Sequence, residues 1–466
     1  MKGSDTAYVK VISILAVTAV ITGCAGTGKK ASENSIADYA AGNYSQAARN
    51  LELDLGFVDE ETGEYFPVVP VEDRVLLQLE AAEASRLSGM GDRAVAHYDA
   101  VEELFRAEDT ESLGETAAQN VGAVAINDNL MSYKPTPVER VLANYYKALT
   151  FWAGGDTNNA RVEFNRAGER AERALARYQA EIEAAEQEAQ EEVGSGVTML
   201  SSDSVTAEHF PEIASYSVYP DFENPAVQYA QAMFYASQGE NSRARDAMRQ
   251  ASIKVGKHPV LDDDFSKLEE QKSLTADGNY AWVLVEAGQS AYLKEKRIDL
   301  PIPGPNGGII LMSMALPLVE DRPLEFSREA ITLDGNQLEF ESIADSRRLI
   351  ETEMSRRFPA IMARAIASTT AKALLQYVAA DQGGWMGNLA ATAFTSATTS
   401  ADVRMWEMIP NQWLLAKVRL DESVDAMLEY GVQSRQTIAL EKGSSWFVVV
   451  KQPTPLAEPF VSAYKI

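Results

Sequence analysis

The chain is poor in the residues on which several kinds of chemistry depend. One cysteine and three histidines among 466 residues leave no material for a disulfide framework, a zinc ribbon, an iron–sulfur cluster or a His-rich metal site. Basic residues are scarce as well: 42 Lys and Arg against 68 Asp and Glu give a net charge of −26. Lys and Arg supply most nucleic-acid affinity by neutralising phosphates, so no nucleic-acid partner is expected. A Gly-x-Ser-x-Gly elbow, a dinucleotide fingerprint and a His-Glu-x-x-His helix are all missing. His97 is expected to pack beside Tyr98 in a helical hairpin, while His209 and His258 fall in loop-like stretches. The reading is therefore of a protein that is not an enzyme, with no catalytic residue, cofactor or metal. What is present is ordinary for a globular chain, 46% hydrophobic and 24% charged, long enough for roughly three folded units.

The N-terminus bears on the compartment. Lys2 and Lys10 precede an apolar run from Val11 to Ile21, which is too short for a permanent membrane span of about 20 residues. It has the length of a secretory signal core. Ile21, Thr22 and Gly23 then lead into the sole cysteine, Cys24, and this segment resembles the lipobox of bacterial lipoproteins. The alternative is a generic signal peptide with an incidental cysteine. The resemblance implies cleavage after residue 23 and lipidation of Cys24, and several acyl chains anchor durably at about 0.8 kcal/mol per buried methylene. Ala25 follows, whereas Asp there resembles an inner-membrane retention signal, so an outer-membrane anchor facing the periplasm is expected. Residues 24–33 read as a tether.

Four segments share one spacing, a Gly, an Ala five residues later and a bulky apolar residue four further on: Gly42, Ala47, Leu51; Gly89, Ala94, Tyr98; Gly155, Ala160, Phe164; and Gly239, Ala244, Met248. Gly accepts the left-handed backbone that ends a first helix. The later residues then line one face of a second helix, where a small Ala permits close approach. These segments resemble tetratricopeptide-type helical hairpins. The glycines are unevenly spaced, so a plain helical bundle is the alternative; both make residues 34–275 an all-α domain that offers surfaces to a partner. Within it, residues 55–73 read as an ordered loop or short hairpin, Ala160–Glu192 as a long solvated helix, and 193–224 as irregular. Residues 51–120 hold 18 acidic and 4 basic side chains, either a solubilising face or an acidic docking patch.

Near residue 277 the periodicity turns from helical to alternating. Strands are expected over Tyr280–Val285, Ser290–Leu300, Ile309–Leu318, Gln412–Val418, Gln436–Leu440 and Trp446–Lys451. A helical insert at about 344–400 begins at Asp345 or Ser346, runs toward Arg357, and restarts at Pro359. Residues 276–466 are thus expected to form an α+β, sandwich-like domain.

Together, the Cys24 segment, the irregular hairpins, DFENPAVQYAQAMFY at 221–235 and ADVRMWEMIPNQWLLAKVRL at 401–420 look like a family of uncharacterised proteobacterial lipoproteins. Asp402, Arg404 and Trp406 match its Asp-x-Arg-x-Trp element. The resemblance implies an envelope protein without assigned activity, whose gene neighbours often include an activator of cell-wall synthases. Asp402 and Arg404 suggest an ion pair beside a core Trp406, or together a partner-binding element. Arg347, Arg348, Arg356, Arg357 and Arg364, with Lys372, make residues 344–372 locally basic. They either pair with the acidic first half or bind a partner such as peptidoglycan. The function expected is a non-catalytic scaffold or adaptor for envelope proteins. Alternatives are a peptidoglycan-binding or cell-wall-modifying protein using the 344–420 region, or a periplasmic subunit of a transport or secretion machine.

Overall fold

The computed structural model describes residues 34–110, 133–193, 201–303, 309–370, 372 and 400–466. Cys24, the leader and the tether lie outside the described residues, as do positions 373–399 of the helical insert. The N-terminal half is helical. Helix α1 (34–40) turns into α2 (Tyr44–Leu55), α3 (Val75–Leu87) into α4 (Gly91–Thr110), and α5 (Pro137–Ala153) into α6 (Thr157–Val193). After α7 (Ser202–His209), α8 (Pro225–Ser237) turns into α9 (Asn241–Val255), and α10 (Pro259–Glu269) follows. The four glycines expected to turn hairpins have φ values of 80° (Gly42), 82° (Gly89), 78° (Gly155) and 72° (Gly239), all left-handed. The Ala and bulky residues that follow them are buried in every case. Gly42 is constrained twice, because a Cβ there would lie 2.8 Å from the backbone nitrogen of Glu458.

Local chemistry sets the helix starts. At α5, Thr136 Oγ accepts from Glu139 N–H and the Glu139 carboxylate accepts from Thr136 N–H, a reciprocal capping box. His258 caps α10, its Nδ1 accepting from Leu261 N–H at 3.4 Å. Helix α6 departs from the expected solvated rod. Ala160, Phe164, Ala167, Ala171, Ala174, Tyr178 and Ala185 form a buried stripe at helical spacing, and Glu163 beside it is buried too, accepting from Asn144 and Lys147. α7 falls in the segment expected to be irregular. Residues 55–73 do form a small hairpin, bridged between Val58 and Tyr65.

Eleven strands follow among the described residues: β1 (Tyr280–Ala287), β2 (Tyr292–Pro303), β3 (Ile309–Glu320), β4 (Ile331–Leu333), β5 (Asn336–Gln337), β6 (Glu341–Asp345), β7 (Gln412–Arg419), β8 (Ala426–Tyr430), β9 (Gln436–Leu440), β10 (Trp446–Gln452) and β11 (Phe460–Lys465). One sheet has the order β11-β10-β1-β7-β6, with β1 and β10 parallel and the other pairs antiparallel. A second sheet, β5-β4-β8-β9, covers one of its faces. Val283, Val285, Leu414, Ala416, Val448 and Val450 meet Ile331, Leu333, Leu428 and Leu440 there, forming a sandwich core.

The other face of the five-stranded sheet carries Trp282, Leu284, Trp413, Leu415, Phe447 and Val449, which share one continuous core with the helical hairpins. The secondary structure changes near residue 277 as expected, but the two halves do not close off separate cores. Trp152 at the end of α5 shows the joint most plainly. Its ring stacks on Tyr464 at 4.2 Å and Phe447 at 6.0 Å, and meets Phe234 edge-on at 5.3 Å.

The β2–β3 hairpin stands apart from both sheets and packs on a helix over residues 346–370, α11, through Leu300, Met314, Leu316, Met354, Phe358 and Met362. α11 is unbroken, where a restart at Pro359 was expected. Pro359 forfeits one helical hydrogen bond on an exposed face, and burial of Met354, Phe358, Met362 and Ile366 on the opposite face outweighs that loss. Among the described residues no helix is long and apolar enough to cross a membrane.

Candidate functional site

The arginines singled out on α11 do not share one face. Arg347 is half-exposed and pairs with Asp321 at 3.1 Å and Glu351 at 2.8 Å. Arg348 lies over the Tyr219 ring at 4.0 Å and donates to the Val218 carbonyl. Arg356 is exposed. Arg364 reaches back to Glu181 on α6 at 3.4 Å, a pairing with the helical half. Asp402 and Arg404 form a bidentate pair, with Nε to Oδ1 at 2.8 Å and a terminal nitrogen to Oδ2 at 2.7 Å. Trp406 is fully buried, edge-on to Tyr146 at 5.8 Å, so it has no surface to offer a partner and belongs to the core.

Four of the residues singled out nonetheless converge. Arg357, Arg364 and the Asp402–Arg404 pair line a cavity of about 280 Å³ between the start of α5, the middle of α6, the base of β2–β3, and α11. Its polar end is built by residues that sequence reasoning passed over. The Glu139 carboxylate caps α5 and also accepts from Tyr133 Oη at 2.6 Å and from Trp406 N–H at 2.7 Å. Glu353 Oε1 accepts from Tyr178 Oη at 2.5 Å and from Val138 N–H at 3.3 Å. Only the capping box Thr136-Pro137-Val138-Glu139 had a local signature; the other partners come from distant parts of the chain.

Burial pushes the Glu353 carboxyl up to about 7, against the opposing pull of Arg357. The sign of its effect on stability follows. An unfolded Glu releases its proton near 4.5, whereas the folded chain holds it to about 7. Glu353 therefore costs stability progressively as pH rises across that window, on the order of 3 kcal/mol above it. Glu353→Gln is expected to match the wild type at pH 4 and to exceed it at pH 8 by up to that amount. Urea unfolding at both pH values checks this, and an equal difference at both would refute it.

Behind the cavity lies a second charged cluster, at the joint between α3 and the sheet. Glu83, Arg86, Glu286 and Lys451 are all buried. Arg86 donates to both Glu83 oxygens at 2.7 and 2.8 Å, and Lys451 Nζ donates to Glu83 Oε1 at 2.5 Å and to the Met408 carbonyl at 2.7 Å. Glu286 Oε2 lies 3.7 Å from Lys451 and 3.9 Å from Arg86. Burial raises the Glu83 carboxyl, but Arg86 and Lys451 outweigh it and hold Glu83 down at about 2. Charge balance and lack of exposure make this a structural clamp. His97 has a comparable role: its Nε2 meets Glu52 Oε1 at 2.7 Å, and its ring lies against Phe57 where packing beside Tyr98 was expected.

Among the described residues no group of three or more His, Cys, Asp or Glu is placed to hold a metal ion. Compared with protein families, with curated proteins and with solved structures, the chain matches none.

Proposed function

We propose that the protein is an outer-membrane-anchored periplasmic lipoprotein acting as a non-catalytic scaffold or adaptor for envelope proteins, with tetratricopeptide-type hairpins in its helical half. The observation that carries this reading is the loop between α2 and α3. Tyr65, Phe66 and Val69 are 46%, 41% and 53% exposed, in a loop that is itself well tied down. Arg93 donates to the Phe66 and Phe57 carbonyls, and Gln78 donates to the Val69 carbonyl at 2.7 Å while accepting from Val71 N–H. An ordered loop that displays aromatic side chains has already met the cost of ordering an interface. Exposed Glu60, Glu61, Glu64, Glu72 and Asp73 surround it, which suits an apolar partner surface with a basic rim. The lipobox-like segment supports anchoring at Cys24, and the family resemblance favours a link to cell-wall synthesis.

A photo-crosslinking residue at Tyr65 is expected to capture a discrete envelope protein in cells, whereas one at the exposed Ile253 of α9 is not. Cys24→Ser is expected to move the protein to the soluble periplasm. No capture at Tyr65 by a correctly anchored protein sinks the adaptor reading, and unchanged membrane fractionation of Cys24→Ser sinks the anchor. A second reading, direct binding of peptidoglycan through the 344–420 region, is favoured by the cavity that Arg357 lines; retention on purified peptidoglycan, lost on Arg356→Ala/Arg357→Ala, is its test.

A further inference from the structure

Arg357 is the anomaly of the cavity. The residue is partly exposed and its guanidinium faces the cavity between α6, α11 and the start of α5, where Glu181 and Glu353 favour its charge at longer range, yet no described residue within hydrogen-bond or ion-pair distance takes it. The nearby acids are engaged elsewhere. Glu181 pairs with Arg364, one oxygen of Glu353 takes Tyr178 and Val138, and Glu139 takes Tyr133, Thr136 and Trp406. A guanidinium presents five N–H donors, and removing them from water without acceptors is costly. A donor fork that faces a cavity with no acceptor of the chain on it is open to an acceptor from outside.

The rest of the lining indicates the acceptor's kind. Leu293, Leu316, Ile350, Met354, Met405 and Ile409 give the same cavity an apolar lining. Lys134, Arg177, Arg357, Arg364 and Arg404 outnumber Glu139, Glu181, Glu353 and Asp402, an inversion of the balance in a chain of net −26. The guanidinium fork matches a carboxylate or phosphate bidentately. A few convergent polar groups on an otherwise apolar concavity are the usual make-up of a small-molecule site.

We propose that this cavity binds a small amphiphilic anion, its carboxylate or phosphate held by Arg357 and its apolar body against Leu316, Ile350, Met354 and Met405. The proposal does not rest on the adaptor reading, and either can fail alone. Glu353 makes the site pH-sensitive: protonated, it leaves the charge of Arg357 for the ligand; ionised, it competes for that charge. The other groups facing Glu353 are Tyr178 and Glu181 from α6, Tyr133, Thr136 and Glu139 at the start of α5, and Arg404 with its partner Asp402 across the cavity.

Isothermal calorimetry on the full chain tests this with octanoate, octyl phosphate, octanol and octylammonium. The expected result is one octanoate or octyl phosphate bound per chain, with octanol weaker by about tenfold or more and octylammonium silent. The tighter of the two anions identifies the headgroup as carboxylate or phosphate. Anion affinity is expected to fall as pH rises through 7 in the wild type, and to stay level in Glu353→Gln, which keeps an acceptor for Tyr178 and Val138. Arg357→Met is expected to lose about tenfold or more, while Arg356→Met, on the exposed side of the same helix, binds as the wild type does. Equal affinity for octanol and octanoate, wild-type affinity in Arg357→Met, or no anion bound by the folded chain would each overturn the proposal. Should Arg357→Met fail to fold, the probe series and the Glu353→Gln pH profile decide alone.

Discussion

Lys451→Met destabilises the protein by about 3–5 kcal/mol, the range for breaking a buried ion cluster by removing one partner. Lys451 is fully buried on β10, and it joins three elements through Glu83 on α3, the Met408 carbonyl and Glu286 on β1. Its loss leaves two buried carboxylates facing Arg86 alone. Desolvation, rather than the lost bonds, supplies most of the cost. The control is therefore a change of charge balance. Glu83→Gln on top of Lys451→Met returns the cluster to one cation and one anion and should recover part of the loss, although it removes a further hydrogen-bonding partner. Urea unfolding of the wild type, single and double variants reads both effects. A single variant within 1 kcal/mol of the wild type would mean that the cluster is hydrated and the clamp is not real.

Trp152→Ala is expected to cost a similar 3–5 kcal/mol, by a different route. The indole fills the joint where the α5–α6 hairpin meets β10 and β11, stacked on Tyr464 and Phe447 with Phe234 and Phe164 at its edges. Removing it opens a void that rigid aromatic neighbours collapse into poorly. Trp152→Phe keeps one ring in the stack and should lose less than half as much. Thermal unfolding distinguishes a shared core from two independent ones: the shared core predicts that helical and aromatic signals fall together in the variant, as in the wild type. A helical transition that separates from the sheet transition would show the halves to be independent.

Much of the helical half was legible because its signals are local. A Gly in left-handed conformation followed by an Ala five residues later is a complete description of a tight helical turn, and all four such turns formed. The sheet region was read less fully. Central strands such as β1 and β10 have dense apolar runs, but β8 and β11 are short and partly exposed, and neither carries a strong alternation. β8 rests on the distant β4, and β11 is an edge strand paired only with its neighbour β10. Pro359 misled for a related reason, since a backbone preference worth a few kcal/mol gave way to four buried side chains on the opposite face of α11. Arg357 could be named from sequence as one of a cluster of arginines, but not distinguished from Arg356. What distinguishes them is a cavity lining drawn from residues 133–139, 177–184, Leu293, 315–317 and 401–409, and none of those segments has a pattern that announces the others.

The parallel pairing of β1 with β10 has a consequence for the order in which the protein is made. The hairpins leave the ribosome first, but the strands that cover their inner face are among the last: Phe447 and Tyr464 reach Trp152 only when nearly the whole chain has been synthesised. Until then the helices have only the strands made earlier, such as β1, to cover that face, and the core closes after the C-terminal strands emerge. A polypeptide built this way is expected to complete its core late in translation. A chain cut short before residue 460 lacks β11 and the Tyr464 ring that stacks on Trp152, and is expected to be cleaved by proteases faster than the full chain.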